Sequence, residues 1–153
     1  MKIEQLLMRN AIAFNTEDAK GCVATFAPDG ELRLIRQEGE EPFAGPFKGH
    51  DALPAQWFPD PPSAGTPLPE FRRIGAMRHV TINPLIQVDG DTATVELIFT
   101  ELVSNGENIP PGSNPPTKGA MGRYMDDLVK IDGEWYFQRR TIITDLNEAF
   151  VPD

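Results

Sequence analysis

Four residues in the second half of this chain have types and positions that suit proton chemistry: His79, Tyr124, Asp126 and Arg139. His79 lies in RHVTIN, where Val80, Ile82, Ile86 and Val88 alternate with His79, Thr81, Asn83 and Gln87, Leu85 being the apolar exception. Period-two alternation makes a strand with two unlike faces. It puts an imidazole, which exchanges its proton near neutral pH, on the polar face. That face is either a solvated surface or the lining of a cavity. The chain has only one other histidine, His50 in KGHDAL, which reads as surface or helix-start chemistry.

Tyr124, Asp126 and Arg139 come from GRYMDDLVKI and EWYFQRRTII, two runs that flank Asp132-Gly133. A two-residue turn there sets Lys130 opposite Trp135, Leu128 opposite Phe137, Asp126 opposite Arg139 and Tyr124 opposite Thr141. Leu128, Trp135 and Phe137 mark a buried face, so Asp126 and Arg139 point inward with core aromatics. An inward carboxylate needs a partner to stay charged, and Arg139 is the one this register supplies. The pair either orients the sheet or belongs to a pocket with Tyr124. A single bulge residue would reverse both assignments.

The elements that must position these groups read as helices followed by hairpins. Ile3, Leu6, Leu7, Ala11 and Phe14 have helical spacing. A second helix, capped by Asn15 or Thr16, runs to about Phe26 and buries Cys22, Val23 and Phe26. The segment APDGE ends it, and Asp29-Gly30 leads into a strand around ELRLI. A shorter extended piece near Phe47 and a short helix from Asp51 to Phe58 follow. Residues 59–69 contain five prolines and 110–116 contain four, so both are long surface loops. Around Asp89-Gly90 the expected register sets Val88 opposite Asp91, Ile82 opposite Leu97 and Val80 opposite Phe99 on one apolar surface. His79 then faces Thr100, on a surface shared with Leu85, Ile98 and Leu102, more apolar than a solvated face usually is. The order predicts a single α+β domain over residues 1–153 with a mostly antiparallel sheet. The surface of Val80, Ile82, Ile86, Val95, Leu97 and Phe99 is too apolar to leave wet, which predicts a homodimer or higher oligomer.

Composition narrows the function. With 153 residues and a net charge of −9, the chain lacks the basic clusters that nucleic acid or anionic membrane requires. No apolar run reaches the roughly 20 residues of a membrane span. The N-terminal MKIEQLLMRN does not read as a signal peptide. Cys22 is the only cysteine, so the expected setting is reducing and cytoplasmic. One cysteine and two histidines give no metal-ligand cluster, and no phosphate-binding glycine loop or nucleophile elbow is present. No metal and no cofactor are expected.

The phrases FNTEDAKGCVATFAPDGEL, PFKGHDAL, RHVTINPLIQVDGDTATVE and GRYMDDLVKIDGEWYFQRRTI, in that order, resemble the SnoaL-like branch of the nuclear transport factor 2-like superfamily. The likeness runs from about residue 5 to residue 145. It implies a cone: a strongly curved sheet wrapped around two or three helices, with a pocket at the open end. Scytalone dehydratase, hexachlorocyclohexane dehydrochlorinase and polyketide cyclases share this superfamily. In the first two, a histidine matching His79 is the general base of a His–Asp dyad. The dyad's Asp matches Asn15, which can orient an imidazole but brings no counter-charge.

The resemblance therefore implies a cofactor-free lyase or isomerase acting on a small apolar or aromatic molecule. His79 would accept a proton from carbon, and Tyr124 would donate a hydrogen bond to a carbonyl or leaving hydroxyl. Asp126 would set the charge balance with Arg139. Asn15 would position His79 or the substrate, and Phe14, Trp57 and Met77 would supply apolar walls. The superfamily also holds noncatalytic binders and oxygenase small subunits, so both stand as alternatives.

Overall fold

The computed structural model describes residues 2–16, 18–53, 77–103 and 117–147. Two helices, α1 (Ile3–Asn15) and α2 (Ala19–Val23), precede six strands. These are β1 (Phe26–Ile35), β2 (Ala44–Lys48), β3 (Met77–Asp89), β4 (Thr92–Val103), β5 (Thr117–Ile131) and β6 (Glu134–Asn147). They form one curved, unclosed sheet in the order β2-β1-β6-β5-β4-β3. Only the β1–β6 contact is parallel. The fold is α+β, as the element order predicts.

Helix α1 turns Ile3, Leu6, Leu7, Asn10 and Ala13 inward, the repeat of three and four that puts residues on one helical face. Leu6 and Leu7 join Leu97, Phe99, Tyr124, Leu128, Trp135 and Phe137 in a common core. The second helix is shorter than predicted. Asp18 caps it, accepting from the Gly21 N–H at 2.9 Å, and β1 already begins at Phe26. The predicted helix end at APDGE is thus part of a strand. Gly30 sits there because a Cβ would come within 2.8 Å of the Phe137 carbonyl oxygen. Of the predicted helix at Asp51–Phe58, residues 54–58 lie outside the described residues, as do both proline-rich segments.

Both hairpins form, and both carry a bulge that alters the predicted pairing. In the first, Asp89 pairs with Thr92, which moves the turn to Gly90-Asp91. A second irregularity follows between Ile82 and Leu85. Asn83 adopts a left-handed φ of 55° there, and Pro84 has no N–H for the ladder. Beyond the bulge His79 faces Glu101 instead of Thr100, and Thr81 faces Phe99. The predicted continuous apolar surface is therefore split. Val95, Leu97 and Phe99 are buried in the core, whereas Val80, Ile82, Leu85 and Ile98 are exposed on the other side.

In the second hairpin Leu128 faces Phe137 as predicted, but an extra residue, Gln138, then displaces the register. Asp126 pairs with Arg140 in place of Arg139, and Tyr124 with Ile142 in place of Thr141. The neighbouring β1 is irregular over the same stretch, between Phe26 and Glu31, where Pro28 has no N–H to offer β6. The bulge keeps Phe137 and Arg140 both inward, although they are three positions apart.

Candidate functional site

The β3 bulge turns His79 to the inner face, where its side chain is only 4 % exposed. Phe14 packs edge-on against the imidazole, with ring centroids 4.6 Å apart. Asn15, the last residue of α1, reaches β3 with its amide oxygen. That oxygen accepts from the His79 backbone N–H at 2.7 Å and lies 3.0 Å from Nδ1. One side chain thus satisfies a donor of an edge strand and orients the ring. On the far side, Nε2 is 3.1 Å from Glu101 Oε1.

Beside His79 the cleft is lined by Leu7, Phe14, Thr81, Tyr124, Arg140 and Ile142, among others. Its walls enclose about 400 Å³ including the mouth, but a water's centre reaches only about 20 Å³ of that. This is closed packing around one or two water-sized spaces, so a ligand must displace side chains to enter. A wider groove, in which a water's centre reaches about 560 Å³, lies elsewhere, with Arg33, Glu38, Leu85, Glu96, Met125 and Thr141 on its walls. No histidine is among its lining residues, whereas His79 lines the narrower cleft.

Tyr124 stacks on Phe99 at 4.3 Å between centroids, and the Arg140 guanidinium lies 4.3 Å from its ring centre. Burial pushes the Tyr124 phenol well above its ordinary range, against the pull of Arg140. The hydroxyl therefore stays protonated and is available as a donor. Arg140 is itself clamped. Its Nε and Nη2 donate to Asp126 Oδ1 and Oδ2 at 2.8 and 2.7 Å, and Nη1 donates to Asn10 Oδ1 at 2.6 Å. Asn10 passes the chain on to Thr25 Oγ1 at 2.8 Å. The Phe137 ring covers the opposite side of the guanidinium at 4.1 Å. Burial drives the Asp126 carboxyl upward while Arg140 pulls it back. Burial also works against the charge on Arg140, but Asp126 beside it prevails and holds the guanidinium protonated. Such a pair holds together only when bidentate and hydrogen-bonded throughout, as this one is.

Of the predicted site residues, His79, Asn15, Phe14 and Tyr124 come together. Asp126 is beneath them with both oxygens engaged by Arg140, so it anchors the floor of this cleft. Arg139 does not join. It lies on the opposite face, 3.2 Å from Asp127 and 3.5 Å from Glu31. Trp57 lies outside the described residues, as does the side chain of Met77. His50 is remote and contacts the Phe26 carbonyl oxygen at 3.0 Å. Two site residues were not anticipated: Arg140, hidden by the Gln138 bulge, and Glu101, hidden by the shifted register. The one available signal for Glu101 was its neighbourhood, a carboxylate in an apolar strand, VELIFTELV. Among the described residues no three His, Cys, Asp or Glu side chains converge as a metal site, and no helix is long and apolar enough to cross a membrane.

Comparison with known proteins agrees with this architecture. A cystatin-like-fold protein of unknown function from Nostoc punctiforme superimposes with a TM-score of 0.68 at 26 % identity, over 94 % of this chain and 88 % of that one. A protein assigned as a scytalone dehydratase, from Novosphingobium aromaticivorans, gives 0.66 at 20 % identity over 99 % and 87 %. A protein from Catenulispora acidiphila, solved in complex with S-DNPA, gives 0.66 at 20 % identity over 94 % and 90 %. No protein of curated function matches the sequence. The SnoaL-like domain profile matches residues 1–141, nearly the whole chain, and this protein belongs to the SnoaL-like family.

Proposed function

We propose that the protein is a cofactor-free lyase or isomerase that acts on a mostly apolar small molecule in the cone cleft, with His79 as general base. The observation that carries this reading is the buried imidazole, oriented through Nδ1 by Asn15 beside a protonated Tyr124 hydroxyl. Asn15 leaves Nε2 as the nitrogen that gains and loses a proton. A substrate with a C–H next to a carbonyl would lose its proton to Nε2, while Tyr124 donates to the oxygen that gathers charge. Phe14 and Leu97 favour an apolar or aromatic body, and the Arg140–Asp126 pair keeps the Tyr124 ring in place. The similarity to a protein assigned as a scytalone dehydratase, and to one holding a small molecule, is in keeping with this chemistry.

The test is hydrogen–deuterium exchange and dehydration on a panel of aromatic ketones and β-hydroxy ketones. Wild-type protein should catalyse at least one, and His79→Ala should lower turnover at least about a hundredfold, the lower range for a general base. A second reading, binding without turnover, draws on Asn15, whose amide gives the imidazole no counter-charge. Tight binding of a panel member with no turnover by wild type would replace the first reading with the second.

A further inference from the structure

We infer that Glu101 and His79 hold one proton between them, with the carboxylate at Nε2 and an amide at Nδ1, the reverse of an Asp-oriented dyad. The argument begins with the Asn15 oxygen. It accepts the His79 backbone N–H at 2.7 Å, which excludes the flipped amide, since an NH2 cannot accept. The same oxygen is 3.0 Å from Nδ1, so Nδ1 carries a hydrogen. That leaves Nε2, 3.1 Å from Glu101 Oε1. Two bare lone pairs at that distance repel, and with the imidazole 4 % exposed, bulk water does little to screen them. One proton therefore lies in the contact, either on nitrogen as an imidazolium–carboxylate pair or on oxygen as a carboxylic acid.

Among the described residues the surrounding charges favour no other partner. Glu101 comes from β4, Tyr124 from β5, and Arg140 from β6, its charge opposed by the fully buried Asp126. Helix α1 contributes Phe14 and the uncharged Asn10 and Asn15. Among the described residues Glu101 is the one carboxylate in contact with the ring, and its side chain is 25 % exposed, so it can move at the rim of the cleft.

Resting on the lyase reading above, the shared proton gives a balanced elimination. In the neutral form, Nε2 is a lone pair and Glu101 a carboxylic acid. Nε2 accepts the proton from the substrate carbon, the C–H electron pair becomes the new C=C bond, and the C–O bond breaks. The departing oxygen takes the Glu101 proton and leaves as water. The proton on Nε2 then passes to Glu101, which restores the starting pair.

The experiment is an NMR titration of the two histidine rings in wild type and in Glu101→Gln, a near-isosteric change. His50, remote from the cleft, is the internal reference and reports that the variant is folded. Loss of the carboxylate removes the charge that favours imidazolium, so the His79 midpoint should fall by at least about one pH unit, tenfold in proton affinity. His50 should not move. A His79 midpoint within about 0.3 unit of wild type overturns the shared proton, even where wild-type turnover is intact. The expected shift with no turnover of any panel substrate leaves the pair standing and removes the lyase reading.

Discussion

Arg140→Met tests the inner register of the sheet, because the register predicted without a bulge makes Arg139 the partner of Asp126. The structure gives Asp126 to Arg140, through two charge-assisted hydrogen bonds of 2.8 and 2.7 Å, with the Asp126 side chain completely buried. Removing the guanidinium leaves that carboxylate uncompensated in the core, which costs about 3–5 kcal/mol. Asn10 also loses its 2.6 Å partner, and the Tyr124 and Phe137 rings lose the cation between them. Methionine restores most of the apolar volume, so about 4 kcal/mol is the expected loss. With an m-value of about 2 kcal/mol per molar, the urea midpoint should fall by roughly 2 M, read by far-ultraviolet circular dichroism. Arg139→Met is the control. Its side chain is 43 % exposed, and its pairs with Asp127 and Glu31 are surface pairs worth at most about 1 kcal/mol. Replacing both members of the inner pair, Asp126→Leu with Arg140→Met, should recover much of the loss, because no buried charge remains. If Arg139→Met costs more than Arg140→Met, the bulge at Gln138 and the floor of the cleft are both wrong.

Tyr124→Phe removes the hydroxyl and keeps the stacked ring. Turnover of a responsive substrate should fall about ten- to a hundredfold, with stability within about 1 kcal/mol of wild type, the usual net contribution of one hydrogen bond. Equal turnover would remove Tyr124 from the mechanism. Cys22 is fully buried, and burial, with a smaller push from Asp18 and a counter-pull from Arg140, raises its thiol from 9.0 to about 12. The folded state therefore binds this proton more tightly than the unfolded state. The resulting stability is complete below pH 9 and is lost as pH climbs from 9 toward 12. Alkylation at pH 8 should be negligible in native protein and rapid in urea; fast native labelling would show that the α2 region does not seal the thiol.

Much of this molecule follows from local sequence. The helical spacing of Ile3, Leu6 and Leu7, the turn at Asp132-Gly133 and the alternation around Leu128, Trp135 and Phe137 are properties of neighbouring residues. The resemblance placed His79 and Asn15 together, and the structure puts Nδ1 within 3.0 Å of the Asn15 oxygen. What local sequence could not decide is which residues face them. Side chains alternate with a period of two, so one extra residue exchanges the inner and outer sets for the rest of a strand. The bulge at Asn83-Pro84 lies on the strand whose His79 backbone N–H donates to Asn15, at the far end of a helix 64 residues earlier. The bulge at Gln138 sits beside Pro28 of β1, more than a hundred residues away along the chain. Each bulge sits beside a contact that exists only once the chain has closed on itself. Glu101 and Arg140 entered the cleft, and Arg139 left it, for that reason.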